Sequence, residues 1–281
     1  MKPPAFDYIA AGSLDEALTA LAEGGEDAKV LAGGQSLIPL LSLRLAYPSL
    51  LVDVNRVDEL STIERTNGTL RIGSMVRHRT AERSKVIADA VPLITAVMPY
   101  IGHVAIRSRG TIGGSIAHAD PAAELPAVAL ALDATINVRS AARGERSIAA
   151  ADFFDGYFTT TIEPDEIVTS IDFPVAAPGT GVAVEEVARR HGDFAMVGAV
   201  AAVGPDGTAR IALINVAEKP VRATEAEAAF ATGASVDDVA AAATRDLDPS
   251  GDLHASPAYR KKVAGVCVKR ALAKAREGAA K

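Results

Sequence analysis

Two loops with paired glycines are the features of this sequence that most clearly suggest chemistry. The first is Ala32-Gly-Gly-Gln-Ser36, and the second is Thr111-Ile-Gly-Gly-Ser115. Paired glycines let the backbone adopt positive φ and approach a ligand closely, and the free N–H groups of such a loop form an anion-binding nest. A hydroxyl beside each pair, from Ser36 and from either Thr111 or Ser115, adds a donor for phosphate oxygens. Together the two loops could clamp one diphosphate.

Other chemistries have weaker support. The sequence contains neither G-x-G-x-x-G at the start of a βαβ unit nor G-x-x-x-x-G-K-S/T, so a nucleotide would be bound in another way. No G-x-S-x-G motif surrounds a serine, which argues against a hydrolase that uses Ser115 and His118. His, Cys and carboxylate residues do not cluster at metal-ligand spacing. We therefore predict no catalytic residue and no metal site in this chain.

The elements around the first loop follow from helical spacing and capping signals. The capping box Ser13-Leu-Asp-Glu16 predicts a helix over about 13–23. Lys29–Leu31 is predicted to be a strand that ends at the loop, and 37–45 a helix that follows it. The first loop thus connects a strand to a helix.

The second loop is predicted to lie between two helical segments and to be followed by strands. Ala81–Met98 is predicted as one helix interrupted by Pro92, and Ala122–Leu132 as a helix of small apolar residues. Asn67-Gly68 is typical of a turn between two strands. The other predicted strands are 50–54, 63–65, 70–72, 135–139 and 167–173.

A cluster of prolines and glycines near 174–181 predicts a boundary between an N-terminal domain, 1–176, and a C-terminal domain, 177–281. In the second domain, Ala195–Val203 and Thr208–Val216 flank the turn Gly204-Pro-Asp-Gly207, which predicts a hairpin. Three helices follow, beginning at a capping box Thr224-Glu-Ala-Glu227, at Ser235 and at Ser256-Pro257. The pattern indicates an α+β fold in both domains.

Composition sets limits on partners and location. The 281 residues include 29 Lys and Arg and 35 Asp and Glu, so no basic field favours nucleic acid. The N-terminus lacks the apolar region of a secretory signal, and the longest apolar stretch, about 91–106, is shorter than the ~18 residues that a spanning helix needs. We expect a cytoplasmic protein. Cys267 is the single cysteine, so this chain cannot supply the four thiolates that an iron–sulfur cluster normally needs.

The two loops and three further phrases resemble the flavoprotein subunits of molybdenum hydroxylases. AGGQSL at 32–37 and RSRGTIGGSIAHADPAAELP at 107–126 resemble the FAD loops of the medium subunit of aerobic carbon monoxide dehydrogenase and of the flavin domain of xanthine dehydrogenase. The resemblance continues in EIVTSIDFP at 166–174, ARRHGDFAMVG at 188–198 and DLHASPAYRKKVA at 252–264. It covers essentially the whole chain, with five phrases in the same order.

This resemblance implies a p-cresol methylhydroxylase-type FAD-binding domain followed by a smaller α+β domain. It implies that Glu124 binds the adenosine half of FAD, and that Ile101 and Val168 lie against the isoalloxazine ring. The whole implied set of cofactor-binding residues is Ala32, Gly33, Gly34, Gln35, Ser36, Leu37, Ile101, Thr111, Gly113, Gly114, Ser115, His118, Glu124 and Val168.

The sequence departs from the pattern of the families that it resembles at three positions, Gln35, Ile101 and Glu185. Gln35 stands where carbon monoxide dehydrogenases often have His, which favours a hydroxylase of another small molecule. Ile101 replaces the ring-facing aromatic of xanthine dehydrogenase, and Glu185 replaces its flavin-side Lys. Because these positions would touch the flavin edge, NAD, a quinone and oxygen all stay open as the electron acceptor.

By this resemblance the chain holds FAD noncovalently and is the electron-transfer subunit of an oxidoreductase complex. Molybdopterin and 2Fe–2S clusters would lie in a large and a small partner subunit, in a heterotrimer or a dimer of heterotrimers. The substrate stays open among carbon monoxide, an N-heterocycle and an aldehyde. One alternative is a self-sufficient flavin oxidoreductase that acts on its own substrate, and another is a scaffold that has lost its cofactor.

Overall fold

The computed structural model describes residues 2–280 and contains fourteen strands and twelve α-helices within that range. The strands are β1 Asp7–Ala10, β2 Ala28–Leu31, β3 Leu50–Asp53, β4 Ile63–Thr66, β5 Thr69–Gly73, β6 Thr135–Ser140, β7 Gly144–Ala149, β8 Phe154–Gly156, β9 Thr159–Thr160, β10 Glu166–Pro174, β11 Gly181–Val187, β12 Val197–Val203, β13 Ala209–Ile214 and β14 Val221–Arg222. The helices are α1 Leu14–Gly24, α2 Leu37–Leu43, α3 His78–Arg83, α4 Lys85–Ala90, α5 Pro92–Val97, α6 Val104–Arg107, α7 Ile112–His118, α8 Glu124–Ala131, α9 Ala150–Phe153, α10 Thr224–Ala231, α11 Val236–Thr244 and α12 Pro257–Ala279.

The first sheet is parallel, with the strand order β1-β3-β2, and it positions the first glycine loop. The predicted helix α1 is confirmed: the Ser13 hydroxyl accepts from the Glu16 N–H at 3.2 Å, and the Glu16 carboxylate accepts from the Gly12 N–H at 2.7 Å. Leu18 and Leu21 of this helix are buried against the sheet. Because β2 ends at Leu31, the first loop leaves the end of a strand and leads directly into α2.

The second sheet is antiparallel, with the order β4-β5-β10-β6-β7. The predicted turn at Asn67-Gly68 is confirmed, and Gly68 there has a φ of 82°. Apolar side chains of β5, β6 and β10 are fully buried in the main core, among them Leu70, Ile136 and Phe173. The strand β7 was not predicted, because its exposed residues give no apolar alternation.

The prediction that 81–98 is helical and interrupted at Pro92 is confirmed, but a second break at Ser84 was not predicted. The chain forms three short helices, α3, α4 and α5, because two residues between them leave the helical region. Ser84 has a ψ of 114° and its hydroxyl accepts from the Ile87 N–H at 3.3 Å, so it begins a new helix. Val91 has a φ of −140°, as expected for the residue before Pro92.

The C-terminal part combines a four-stranded antiparallel sheet, β11-β12-β13-β14, with α10, α11 and α12. The predicted hairpin at Gly204–Gly207 is confirmed by the pairing of β12 with β13. Ser235 and Ser256 cap α11 and α12 as predicted. None of the helices within residues 2–280 combines the length and hydrophobicity needed to cross a lipid bilayer.

The predicted capping box at Thr224 is wrong. Ala223 is the residue before α10, and no side chain caps this end of the helix. Glu227 instead accepts from the Ile211 N–H at 2.7 Å and from Arg222 Nε at 2.5 Å. The carboxylate that the local pattern assigned to a cap therefore forms an ion pair with Arg222 of β14 instead.

One core joins the two parts of the chain. All eight residues of α8 are buried, and this helix lies against β12 and β13 of the C-terminal sheet. Val184, Val200 and Ile214 of that sheet belong to the same buried cluster as Leu125 and Val128. The helix that follows the second glycine loop is thus covered on one side by the C-terminal part. The division at 176 and 177 stays a prediction.

Candidate functional site

A cavity of about 690 Å³ runs along the two glycine loops. Its volume lies in the range usual for sites that bind small molecules and cofactors. All fourteen residues predicted from the sequence line it: Ala32, Gly33, Gly34, Gln35, Ser36, Leu37, Ile101, Thr111, Gly113, Gly114, Ser115, His118, Glu124 and Val168. Residues separated by more than 100 positions in the sequence are therefore brought to one site.

The first loop is shaped by a left-handed residue and a side-chain contact to its own backbone. Gly34 has a φ of 74°, which side chains other than glycine rarely adopt. Gln35 donates from Nε2 to the Gly33 carbonyl at 3.1 Å. Ser36 precedes α2, and its hydroxyl does not cap that helix. This hydroxyl is therefore available to a ligand in the cavity.

The prediction that the second glycine pair lies in a loop between two helices is wrong, because Ile112–Ser115 form the first turn of α7 and Thr111 is its N-cap. This segment, still called the second loop, is held by the cap and by close packing rather than by positive φ. The Thr111 hydroxyl accepts from the Gly114 N–H at 3.1 Å and so caps α7. The Gly113 N–H donates to the Ser74 carbonyl at 2.8 Å. A Cβ at Gly113 would lie 2.3 Å from Ser74 Cβ, so the glycine is required by the neighbouring chain. The cap fixes the position of the Thr111 hydroxyl, and the hydroxyls of Thr111 and Ser115 can both still donate to a ligand.

The expectation that both pairs adopt positive φ is thus correct at one position only. Gly34 lies in the left-handed region, whereas Gly33, Gly113 and Gly114 do not. Gly33 instead allows the two loops to touch, since a Cβ there would lie 2.3 Å from the Arg109 carbonyl oxygen. The loops therefore form one continuous wall of backbone along the cavity.

Glu124 is the acidic residue of the cavity. It begins α8 and is only 4% exposed. Burial, together with the negative charge of Glu186, raises the pKa of its carboxyl to about 8. Burial also raises the pKa of Glu186 to about 7, and one oxygen of that carboxyl is buried without a hydrogen-bond partner within the described structure. A proton or a hydrogen-bonding ligand at Glu124 would relieve this concentration of buried charge.

Two histidines line the cavity and a third lies beside it. His118 packs against Phe158 with ring centroids 5.1 Å apart, and burial lowers the pKa of His118. His78, predicted to be structural, lines the cavity and its Nε2 is 2.8 Å from the Thr111 carbonyl. Burial lowers the pKa of His78 to about 4, so this ring is neutral at physiological pH. His103 is not a lining residue and instead lies against Gly192.

One end of the cavity is built from both parts of the chain. Ile101, Gly102 and Ile106 meet Gly192, Asp193 and Phe194 there. Phe194 lines the cavity and is 61% exposed, so it does not pack in the core. The position Glu185, predicted from the resemblance to touch the flavin edge, does not line the cavity and forms an ion pair with Lys274 of α12.

Sequence reasoning missed the segment Phe158–Pro164, most of which lines the cavity opposite the glycine loops. Phe158 has a φ of 53°, a conformation that is rare for an aromatic residue and that clusters at functional sites. The adjacent Tyr157 and Phe158 in a turn after Gly156 were the available signal, since exposed aromatic pairs are unusual in turns.

The chain offers little for metal or thiol chemistry. Within residues 2–280 no group of three or more His, Cys, Asp or Glu side chains is arranged to hold a metal ion. Cys267 lies buried in α12, as predicted, and burial raises the pKa of its thiol to about 11. The thiol is therefore uncharged and unreactive at neutral pH.

Two family models together match nearly the whole chain. The model described as the FAD binding domain in molybdopterin dehydrogenase matches residues 4–176. The model described as the CO dehydrogenase flavoprotein C-terminal domain matches residues 182–275. The chain is 44% identical to the 6-hydroxypseudooxynicotine dehydrogenase complex subunit alpha from Paenarthrobacter nicotinovorans, and the alignment covers 98% of this chain and 96% of that protein.

Solved structures agree with this assignment. A chain of carbon monoxide dehydrogenase from Hydrogenophaga pseudoflava is 38% identical, has a TM-score of 0.95 and is matched over 99% of both chains. A chain of quinoline 2-oxidoreductase from Pseudomonas putida 86 is 39% identical, has a TM-score of 0.93 and is matched over 100% of both chains. These matches confirm the predicted fold class and the predicted family. The chain belongs to the FAD-binding flavoprotein family of the molybdenum hydroxylases, the family of the carbon monoxide dehydrogenase medium chains.

Proposed function

We propose that this chain holds one FAD noncovalently in the cavity along the two glycine loops and passes electrons from a partner subunit to an external acceptor. The observation that carries the proposal is the direct contact between the loops, which forms one wall of backbone in a protein of an FAD-binding family. Such a wall suits a diphosphate, because the N–H groups of Gly33 to Ser36 donate to no acceptor within the described structure and can approach its oxygens, whereas the N–H groups of the second loop already have acceptors and this loop offers hydroxyls instead.

The residues along the wall have separable roles in this proposal. Gly33 and Gly34 give the phosphates access to free backbone N–H groups, Gly113 and Gly114 let the second loop pack closely, and the hydroxyls of Ser36 and Ser115 donate to phosphate oxygens. Ala32, Gln35, Leu37 and Thr111 complete the two loops.

Glu124 is proposed to accept from two ribose hydroxyls of the adenosine half. A carboxylate has two oxygens that can accept side by side, which matches a pair of neighbouring hydroxyls. Its high pKa in the free protein implies that binding in this form releases a proton. His118, at the end of α7, lines the cavity. Ile101 and Val168 are proposed to pack against the isoalloxazine ring.

Bound FAD would supply the ability to accept two electrons and to release them one at a time. The chain itself binds and orients this group and keeps water from most of the cavity. No side chain needs to act as a general acid or base in this role. This separates the proposal from a self-sufficient oxidoreductase, which needs a group that donates or removes a proton from its substrate.

The relatives are named as subunits of complexes, and we propose the same organisation for this chain. A small subunit with 2Fe–2S clusters and a large subunit with molybdopterin would complete a heterotrimer or its dimer. Gln35 in the first loop favours a substrate other than carbon monoxide, and the relatives that act on nicotine derivatives and quinoline make a nitrogen-containing organic substrate the first choice for testing.

The cofactor is tested by purifying the full chain and precipitating it with acid. We expect yellow FAD in the supernatant, in a ratio of about one per chain. Flavin that stays with the precipitated protein would show a covalent link, FMN in the supernatant would contradict the adenosine contact, and a colourless protein that does not take up added FAD would favour the scaffold alternative.

The electron-transfer role is tested with the FAD-loaded chain alone and then with its partner subunits. Mixed with quinoline, nicotine or carbon monoxide under anaerobic conditions, the isolated chain should stay oxidised, whereas the complete complex should lose the visible flavin absorption with its own substrate. Rapid reduction of the isolated chain by an organic substrate would favour the self-sufficient oxidoreductase.

A further inference from the structure

A chain of side-chain hydrogen bonds links the two glycine loops from behind the cavity wall. Asn55 follows β3, and its side-chain nitrogen donates to the Ala32 carbonyl at 2.9 Å. Ala32 is the first residue of the first loop. The side chain of Asn55 is itself oriented by Asp53, whose Oδ1 accepts from Asn55 Nδ2 at 2.5 Å and from the Asn55 backbone N–H at 2.7 Å. One end of the link is therefore fixed to the first loop.

Arg77 forms the other half of the link. Its guanidinium donates to Asn55 Oδ1 at 2.5 Å and to the Arg109 carbonyl at 2.5 Å. Arg109 precedes the second loop, and the backbone beside it is held by the same segment, because the His78 N–H donates to the Gly110 carbonyl at 2.9 Å. The two arms of one planar guanidinium thus reach from the first loop to the second.

The charge on Arg77 is poorly compensated. Within residues 2–280 no carboxylate lies within ion-pair distance of Arg77, although it is half-buried. The acceptors that it does use are an amide oxygen and a backbone carbonyl, neither of which carries a charge. Burial and the nearby cation Arg109 lower the pKa of Arg77, and the carboxylate of Asp53, which is not in direct contact with it, opposes this shift. Among the described residues, Asp53 is thus the one carboxylate that acts on two neighbouring cations, Arg77 and Arg109, and the positive charge left behind the loops favours an anion bound in front of them.

We propose that Asn55 and Arg77 are positioning residues that set the separation of the two glycine loops for one diphosphate, and that Arg77 adds positive charge behind them. Neither residue lines the cavity, so both act through the loops. The inference rests on the proposed binding of FAD, because the diphosphate is the group that both loops would hold.

The test uses the full chain freed of FAD, with the variants Asn55→Ala, Arg77→Met and Arg77→Lys. Arg77→Lys keeps a cation but cannot donate to two acceptors in a fork. Arg71→Met is the matched control, since Arg71 forms an ion pair with Asp172 on the second sheet and does not line the cavity. The ligands are FAD, ADP and riboflavin, which separate the diphosphate from the ring.

We expect all three variants to bind FAD and ADP about 10- to 100-fold more weakly, as for the loss of hydrogen bonds to a charged group. Riboflavin binding should change less than about threefold. Arg77→Met, but not Asn55→Ala, should also reduce the dependence of ADP binding on salt, because it removes a charge. The Arg71→Met control should bind all three ligands like the wild-type chain.

Several outcomes would overturn the inference while leaving the proposed function intact. FAD affinity unchanged in Asn55→Ala and in both Arg77 variants would do so. Equal weakening of riboflavin and ADP would indicate a general structural role, and the melting temperature of each variant identifies loss of fold. Failure of the wild-type chain to bind FAD would instead contradict the proposed function itself.

Discussion

The two glycine loops look alike in sequence but use their glycines for different reasons. In the first loop Gly34 takes a left-handed conformation, so the glycine serves the shape of the loop itself. In the second loop Gly113 has an ordinary conformation. A glycine is needed there because Ser74, which follows β5, lies against it. A glycine in a binding loop can therefore be required for the packing of the fold as well as for ligand binding. The same substitution should have different effects in the two loops.

Gly113→Val should have the largest effect on stability. The added Cβ would lie 2.3 Å from Ser74 Cβ and 2.7 Å from Ser74 Cα, so backbone must move. We expect the free energy of unfolding to fall by about 3 kcal/mol or more, with loss of FAD as a consequence. Denaturant unfolding measures this.

Gly265→Ala is the matched control for Gly113→Val. This helical glycine has space around it, since the nearest atom to an added Cβ is Thr244 Cγ2 at 3.6 Å. We expect no loss of stability and a gain of up to about 1 kcal/mol. If Gly113→Val unfolds like the wild type, the explanation by close packing is wrong.

The second loop, unlike the first, is followed by a buried acidic residue, Glu124. We expect this carboxyl to make the stability of the FAD-free chain depend on pH. The folded pKa of Glu124, about 8, lies above the ordinary value of 4.5, so the folded chain keeps a proton that the unfolded chain has lost. The stabilisation that comes from protonated Glu124 is therefore fully present below about pH 4.5 and is lost as the pH rises to about 8. Glu186 adds a fall in the same direction up to about pH 7.

Glu124→Gln should remove the larger part of this dependence. The unfolding free energy of each chain is compared at pH 5 and at pH 8.5. We expect its decrease between these two pH values to be smaller in the variant than in the wild-type chain, by on the order of 2 kcal/mol. Chemical unfolding at both pH values, with the exposed Glu64→Gln as control, provides the measurement. Parallel pH curves for Glu124→Gln and the wild type would show that Glu124 is already ionised in the folded chain.

Gly34→Val should weaken ligand binding without unfolding the chain. A β-branched residue at a φ of 74° brings strain of ~1–3 kcal/mol, which corresponds to a roughly 5- to 150-fold loss of FAD affinity. Gly34→Asn should retain more affinity, because asparagine tolerates this conformation better. Titration of the FAD-free variants decides the matter, and equal binding by glycine, asparagine and valine would remove the first loop from the proposed site.

The smallest effects are expected for substitutions of the hydroxyl residues in the two loops. They should distinguish a hydroxyl that stabilises the fold from one that binds the ligand. Thr111→Ala removes the cap of α7 and should cost about 1 kcal/mol of stability. Ser36→Ala and Ser115→Ala should leave stability unchanged and weaken FAD binding by about 2- to 10-fold each. The comparison would fail if Thr111→Ala lost only affinity, or if the two serine variants lost only stability.

Residues of the site could be predicted from the sequence where one short segment carried the signal. The two glycine loops and Glu124 lie in continuous phrases, and the structure brings all of the predicted residues to one cavity. Their contact with FAD is still a prediction. Asn55 and Arg77 were not predicted, because each has a role only through a residue that is distant in the sequence.

The fold followed the same rule. Helix α1 and both predicted hairpins depend on local signals and were found as expected. The helix predicted over 81–98 is interrupted at Pro92 as expected, but it is also divided at Ser84, whose effect on the backbone a count of apolar residues does not include. The cap predicted at Thr224 was lost to the ion pair between Glu227 and Arg222, a tertiary contact.

The complete burial of α8 has a consequence for how the protein is made. Synthesis proceeds from the N-terminus, so the ribosome releases α8 well before β12 and β13, the strands that cover its second face. Until those strands emerge, an apolar helix is exposed and Gly192–Phe194 are missing from one end of the cavity. We expect the nascent chain to take up its cofactor only after β13, which ends at Ile214, has left the ribosome.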